Sequence, residues 1–189
     1  MFNNIKFQVS RAISITVCAI IAVIGKIVYR NLPKTWYIQD GDGNWHNVPC
    51  IKIAGCVVAL VERDDDNALM CVYRKARVLA IGDALLVIYL LGLITPQIYH
   101  EIGHILNGNG GANVRFSEIR ADLKAVKLLR EEGRSKAWIA KSIHRGNKIM
   151  RFILGEWGIP LEEFEWDNDP HPVDNVREWY QMRYLERLK

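Results

Sequence analysis

Five residues, His100-Glu101-Ile102-Gly103-His104 within the stretch YHEIGHILNG (99–108), constrain this chain more than any other feature. On an α-helix His100 and His104 stand one turn apart on the same face, so both imidazoles reach one ion at about 2.0–2.1 Å. Glu101 adjoins the first of them, within reach of an ion-bound water without being a ligand itself, which makes it the expected general base. The competing reading is an ordinary helix whose two histidines are solvated or satisfied by the core. A third ligand decides between them, because a catalytic zinc takes three protein ligands and keeps the fourth position open.

The surroundings supply both the helix and the ligand. Pro96 suits the first turn of a helix, and the Asn and Gly residues after Leu106 are terminators, so the motif is expected on a helix. One short glycine-rich loop later comes SEIRADLKAVKLLREEG, with Ser117 as the expected N-cap and Gly133 as the stop. Glu118 is the expected third ligand. Asp122, four residues on and on the same face, is placed to accept a hydrogen bond from the distal nitrogen of a ligating histidine and so fix its tautomer. Acids in a first helical turn are common on their own, but directly after an H-E-x-x-H helix the pairing favours a metal site.

The chain has 189 residues, half of them hydrophobic, enough for one well-packed domain with an appended segment. A net charge of +4 is spread along the sequence among 21 acids, so nucleic acid is not an expected partner. Ala12–Gly25 is a charge-free apolar run, extendable to Val28 past Lys26 and bordered by Lys6, Arg11, Arg30 and Lys34. Residues 1–35 are therefore read as an N-terminal apolar segment whose positions 12–28 form a single membrane anchor, with a buried element or a cleaved signal as the other readings. Residues 36–189 are the domain proper, and localisation is membrane-associated through that segment, otherwise cytoplasmic.

Within the domain, DGDGN signals a hairpin, CIKIAGCVVALVE reads as a strand and RDDDN as a solvated turn. ALMCVYRKARVLAIG gives one or two more strands with YRK as a tight connection. DALLVIYLLGLI, with Asp83 as N-cap, reads as a buried core helix and not a second span. Ser135 is expected to cap a further helix, and the acidic, proline-containing tail to end in one more. The fold class is thus α+β. Cys18, Cys50, Cys56 and Cys71 lack zinc-finger spacing and read as free thiols, with a Cys50–Cys56 bridge open to them in an oxidising compartment. His46 and His144 read as structural or solvated, and Trp138, Trp157, Trp166 and Trp179 as packing for the C-terminal helices, with the lining of a cleft for a peptide's apolar side chains as the other reading.

At VLAIGDALLVIYLLGLITPQIYHEIGHIL, EIRADLKAVKLLREEG and HPVDNVREW the chain resembles the gluzincin metallopeptidases, and among them the HtpX-like and CAAX-prenyl-protease-like family. That resemblance, over about residues 68 to 180, implies a zincin-like domain with a short sheet packed on the active-site helix. It also implies Zn2+ held by His100, His104 and Glu118, Glu101 as base and Asp122 behind the ligands. His171 and Arg177, in the H-P-x-x-x-x-R match, are implied to lie beside the cleft as catalytic helpers that position substrate or stabilise an oxyanion. The short loop between the two helices is also similar to the ImmA/IrrE-like metallopeptidases. The expected activity is zinc-dependent cleavage of a protein or peptide substrate. The alternative is a catalytically inactive zincin-like protein serving as a membrane-anchored interaction module.

Overall fold

The computed structural model describes residues 2–39, 43–61, 73–75, 78–107, 114–156 and 174–188, with side chains left undescribed over 2–15, over 150–156 and at a few further positions. The architecture is α+β: α1 (Phe2–Asn31), β1 (Lys34–Gln39), β2 (Trp45–Ile53), β3 (Cys56–Val61), β4 (Tyr73–Lys75), β5 (Val78–Gly82), α2 (Asp83–Leu90), α3 (Thr95–Asn107), α4 (Val114–Glu131), α5 (Lys136–Glu156) and α6 (Asp174–Arg187). The five strands form one mixed sheet in the order β1-β2-β3-β5-β4, antiparallel except for the parallel pair β3–β5.

The β1–β2 hairpin lies where DGDGN signals it, with Gln39 opposite Trp45. The segment 50–62 differs from the single strand expected. Ala54 and Gly55, both at positive φ, turn the chain between Ile53 and its partner Cys56, as a two-residue hairpin connection with the twist of its flanking strands requires. Tyr73–Lys75, expected as a connection, is itself the edge strand β4. Cys50 and Cys56 are free thiols: Cys50 faces Ala59 while Cys56 faces Ile53, too far apart along the hairpin to bridge. Cys18 and Cys71 lie outside the residues whose side chains are described, as does RDDDN.

Helix α2 begins at Asp83, with Gly82 and not Asp83 in the N-cap position. Ala84 to Ile88 are all buried, which makes α2 the core helix expected from its composition. It ends at Gly92, whose φ of +69° lets Leu93 N–H return to Ile88 C=O and Gly92 N–H to Tyr89 C=O, a glycine-terminated helix end. The chain then bends by 113° into α3. Pro96 sits in the first turn of α3, where its missing N–H costs no helical bond. Among the described residues no single helix is long and apolar enough to cross a membrane; α2 and α3 reach that length and composition only as this bent pair.

One core lies between the sheet and the helices, built from Val58, Leu60, Leu79 and Ile81 of the strands with Leu86, Ile88, Ile98, Ile102, Leu129, Ile139 and Ile143 of the helices. Each such side chain contributes about 1.5–3 kcal/mol when fully buried. The last turns of α1 belong to this core, since Tyr29 is buried and Ile21, Val28 and Leu32 pack against it. Ser135 caps α5, accepting from the Trp138 N–H at 3.2 Å. Trp138 packs on the core beneath the Arg134 guanidinium, while Trp179 is exposed on α6. Trp157 and Trp166 lie outside the described residues.

Candidate metal centre

Helix α3 presents two faces. Ile98 and Ile102 enter the core, while His100, Gly103 and His104, at the spacing of the neighbouring stripe, turn to α4. Gly103 is what permits close contact there. A Cβ built on it would meet the Ala121 carbonyl oxygen at 2.5 Å, so α3 and α4 touch backbone to backbone at this point. The approach brings the histidine ends of α3 against Glu118 and Asp122, which flank Ala121 on α4.

Gly103→Ala is accordingly expected to force the helices apart. Overpacking of this kind costs about 1–3 kcal/mol and outweighs the roughly 1 kcal/mol that alanine gains in helix propensity. Urea denaturation at equilibrium should show a lower midpoint, and an unchanged or higher one would mean that the helix contact is softer than the structure indicates.

The structure brings together the three predicted ligands. His100 Nε2 and His104 Nε2 are 3.0 Å apart, and each lies 3.1 Å from a Glu118 carboxylate oxygen, Oε2 and Oε1 respectively. All three side chains are buried. Donor atoms at about 2.0–2.1 Å from a shared tetrahedral centre stand roughly 3.3–3.4 Å from one another, so these donors, two imidazole nitrogens and the oxygens of one carboxylate, need only slight expansion to close on one ion. This buried His-His-Glu group can hold a metal ion. The imidazole rings meet edge to face, with 89° between their planes.

The second layer is built from Asp122 and Arg177. Asp122 Oδ1 lies 2.8 Å from His100 Nδ1, so a proton on Nδ1 is held there and Nε2 is left to ligate. Arg177 of α6 donates from Nε to Asp122 Oδ2 and from Nη2 to Oδ1, both at 2.9 Å. A two-point guanidinium–carboxylate pair of this kind fixes orientation as well as charge. Arg177 thus comes to the site, but its guanidinium is engaged with Asp122, and its Nη2 lies 3.1 Å from His100 Nδ1 and 3.4 Å from His100 Nε2. His171 lies outside the described residues. Glu101 comes to the same cluster, its Oε1 3.9 Å from His100 Nε2, and it is partly exposed where the ligands are not.

Ser117 differs from its expected role. The helix begins three residues earlier, at Val114, so Ser117 is inside α4, with its hydroxyl 3.4 Å from His104 Nδ1. It is to His104 what Asp122 is to His100, at a longer distance. The sequence signal for this was available, since Ser117 directly precedes Glu118, but a serine before an acidic turn reads first as a cap. His144 likewise has a partner, Glu178 Oε1 at 3.3 Å, linking α5 to α6.

Charges at the site are strongly coupled. Burial by itself pushes Asp122 up, but its bonds with Arg177 and His100 hold it at about 2. Burial pushes Glu118 up too, and its bonds with the two histidines bring it well below the usual carboxylate range. For His100, burial lowers the imidazole, yet bonds with Asp122 and Glu118 more than offset this and raise it to about 9. In metal-free protein a proton therefore occupies the place of an ion. Because the folded value lies above the ordinary 6.5, that proton's stabilisation is complete below pH 6.5 and is lost as pH rises through about 9. Melting of chelator-treated protein is expected at progressively lower temperature from pH 6.5 to 9, and a flat profile would mean that His100 is neutral throughout.

The chain matches no protein-family model, no curated protein and no solved structure.

Proposed function

We propose that this protein is a zinc-dependent endopeptidase of the gluzincin type, with His100, His104 and Glu118 as metal ligands and Glu101 as general base. The observation that carries the reading is the clustering of the buried donors, the two Nε2 atoms 3.0 Å apart and each 3.1 Å from its own Glu118 oxygen, with the carboxylate of Glu101 beside them. Two imidazoles and one carboxylate suit zinc among the common divalent ions. Bound there, zinc would polarise a substrate carbonyl and lower the pKa of a water towards 7.

The chain's own residues do the remainder. Glu101 accepts the proton of the attacking water and returns it to the leaving amine. Asp122 holds the His100 tautomer, and Arg177 holds Asp122, so Arg177 acts as a positioning residue. Strand β4 pairs with β5 on one side, and no strand covers its other edge among the described residues. Because α3 packs beside β4 and β5, a substrate added to that edge as an extended strand would run past the metal centre. Incubation of the zinc-loaded protein with a mixed peptide library tests this. Internal cleavage that stops with chelator and returns with added zinc is expected; intact peptides under zinc-replete conditions would refute the reading.

A further inference from the structure

Helix α1 carries apolar side chains on two faces, and the protein covers one of them. Ile21, Val28, Tyr29 and Leu32 pack into the core, mainly with α2. A helix docked on one side needs an apolar stripe on that side alone. Val17, Ile20, Val23, Ile24 and Ile27 form a second stripe at helical three- and four-residue spacing, and Ile20, Val23 and Ile27 are each more than half exposed. Lys26 and Arg30, both exposed and four residues apart, run along the edge of that stripe.

The charge around the stripe indicates what covers it. The first 39 residues hold five basic side chains, Lys6, Arg11, Lys26, Arg30 and Lys34, and no acidic one. A second copy of so basic a helix would set like charges together, whereas anionic headgroups would be drawn to it. The chain leaves α1 directly into the β1–β2 hairpin, where Tyr37 and Trp45 are diagonal neighbours on one face and both largely exposed. Amphipathic aromatic rings of this kind favour the headgroup level of a bilayer. Leu90 and Leu91, at the end of the helix that α1 packs against, add a further exposed apolar pair. Lipid cannot encircle the second half of α1, since protein occupies one side of it, so the stripe meets a membrane from the side.

We propose that α1 docks this protein onto an anionic lipid bilayer, with the stripe from Val17 to Ile27 lying along the headgroup–acyl boundary and Lys26 and Arg30 reaching the phosphates. Docking is independent of the metal reading.

Sedimentation of the full chain with phosphatidylcholine vesicles, with and without phosphatidylglycerol, tests the docking. Binding to the anionic vesicles is expected to be at least about tenfold stronger and to weaken in high salt. Ile20→Asp/Ile27→Asp, with a circular dichroism spectrum like that of the wild type, should lose about tenfold or more of that binding. If that pair of changes disturbs folding, Lys26→Glu at an exposed position gives the same readout through charge. Wild-type protein left in the supernatant with both vesicle types would overturn the proposal, as would variants that bind like wild type. So would light scattering that finds a lipid-free wild-type dimer converted to monomer by the double change, since a second copy would then be the occupant.

Discussion

Glu118→Ala is expected to empty the metal centre. The glutamate is buried, its two carboxylate oxygens each lie 3.1 Å from a histidine Nε2, and among the described residues it is the one acid that touches both of those atoms, as the proposed third ligand must. Loss of a partner that merely supports a ligand costs 10- to 100-fold in metal affinity, so loss of a charged ligand itself should cost on the order of 10³-fold or more. Elemental analysis after dialysis should find about one zinc per wild-type chain and under about one-tenth in the variant. Alanine is smaller than the side chain it replaces, so the α3–α4 contact at Gly103 and Ala121 is not crowded by it. Zinc retained in full by Glu118→Ala would place the ion elsewhere.

Glu101→Gln should separate binding from chemistry. Glutamine keeps the size of glutamate and a similar reach but cannot take up a proton, and Glu101 is not among the three clustered ligands. Zinc content is therefore expected to stay at the wild-type level, while kcat falls by about 10²–10⁴-fold, the usual worth of a positioned general base. Equal activity in the two proteins would remove Glu101 from the mechanism, and loss of zinc from the variant would make it a ligand. A buried ion that survives in both proteins without any peptide hydrolysis would indicate a structural metal.

The His-His-Glu cluster was legible in the sequence because helical geometry is local. His100 and His104 need one turn to meet, and Glu118 and Asp122 need one turn to share a face. The partner of Asp122 was legible only through the H-P-x-x-x-x-R resemblance, and its contact was not, because α6 lies 55 residues further along and nothing in its pattern states which helix it packs on. Gly103 shows the same limit: a glycine inside a helix signals close approach, but Ala121 as the thing approached emerges only from the packing of α3 on α4. Secondary structure failed where turns use unremarkable residues. Ala54-Gly55 folds one apolar run into two strands, and Tyr73–Lys75 pairs as a strand although it is only three residues long and two of them are basic. The apolar run in α1 was visible from composition, whereas its division into a core face and an exposed stripe depends on where α2 lies.

The coordination of the bound ion itself tests the metal centre most directly. X-ray absorption at the zinc edge of wild-type protein should show nitrogen and oxygen neighbours alone, at about 2.0–2.1 Å, with the outer-shell signature of two imidazoles. Scattering from sulfur at about 2.3 Å, or a protein that takes up no zinc under replete conditions, would contradict a centre built from His100, His104 and Glu118.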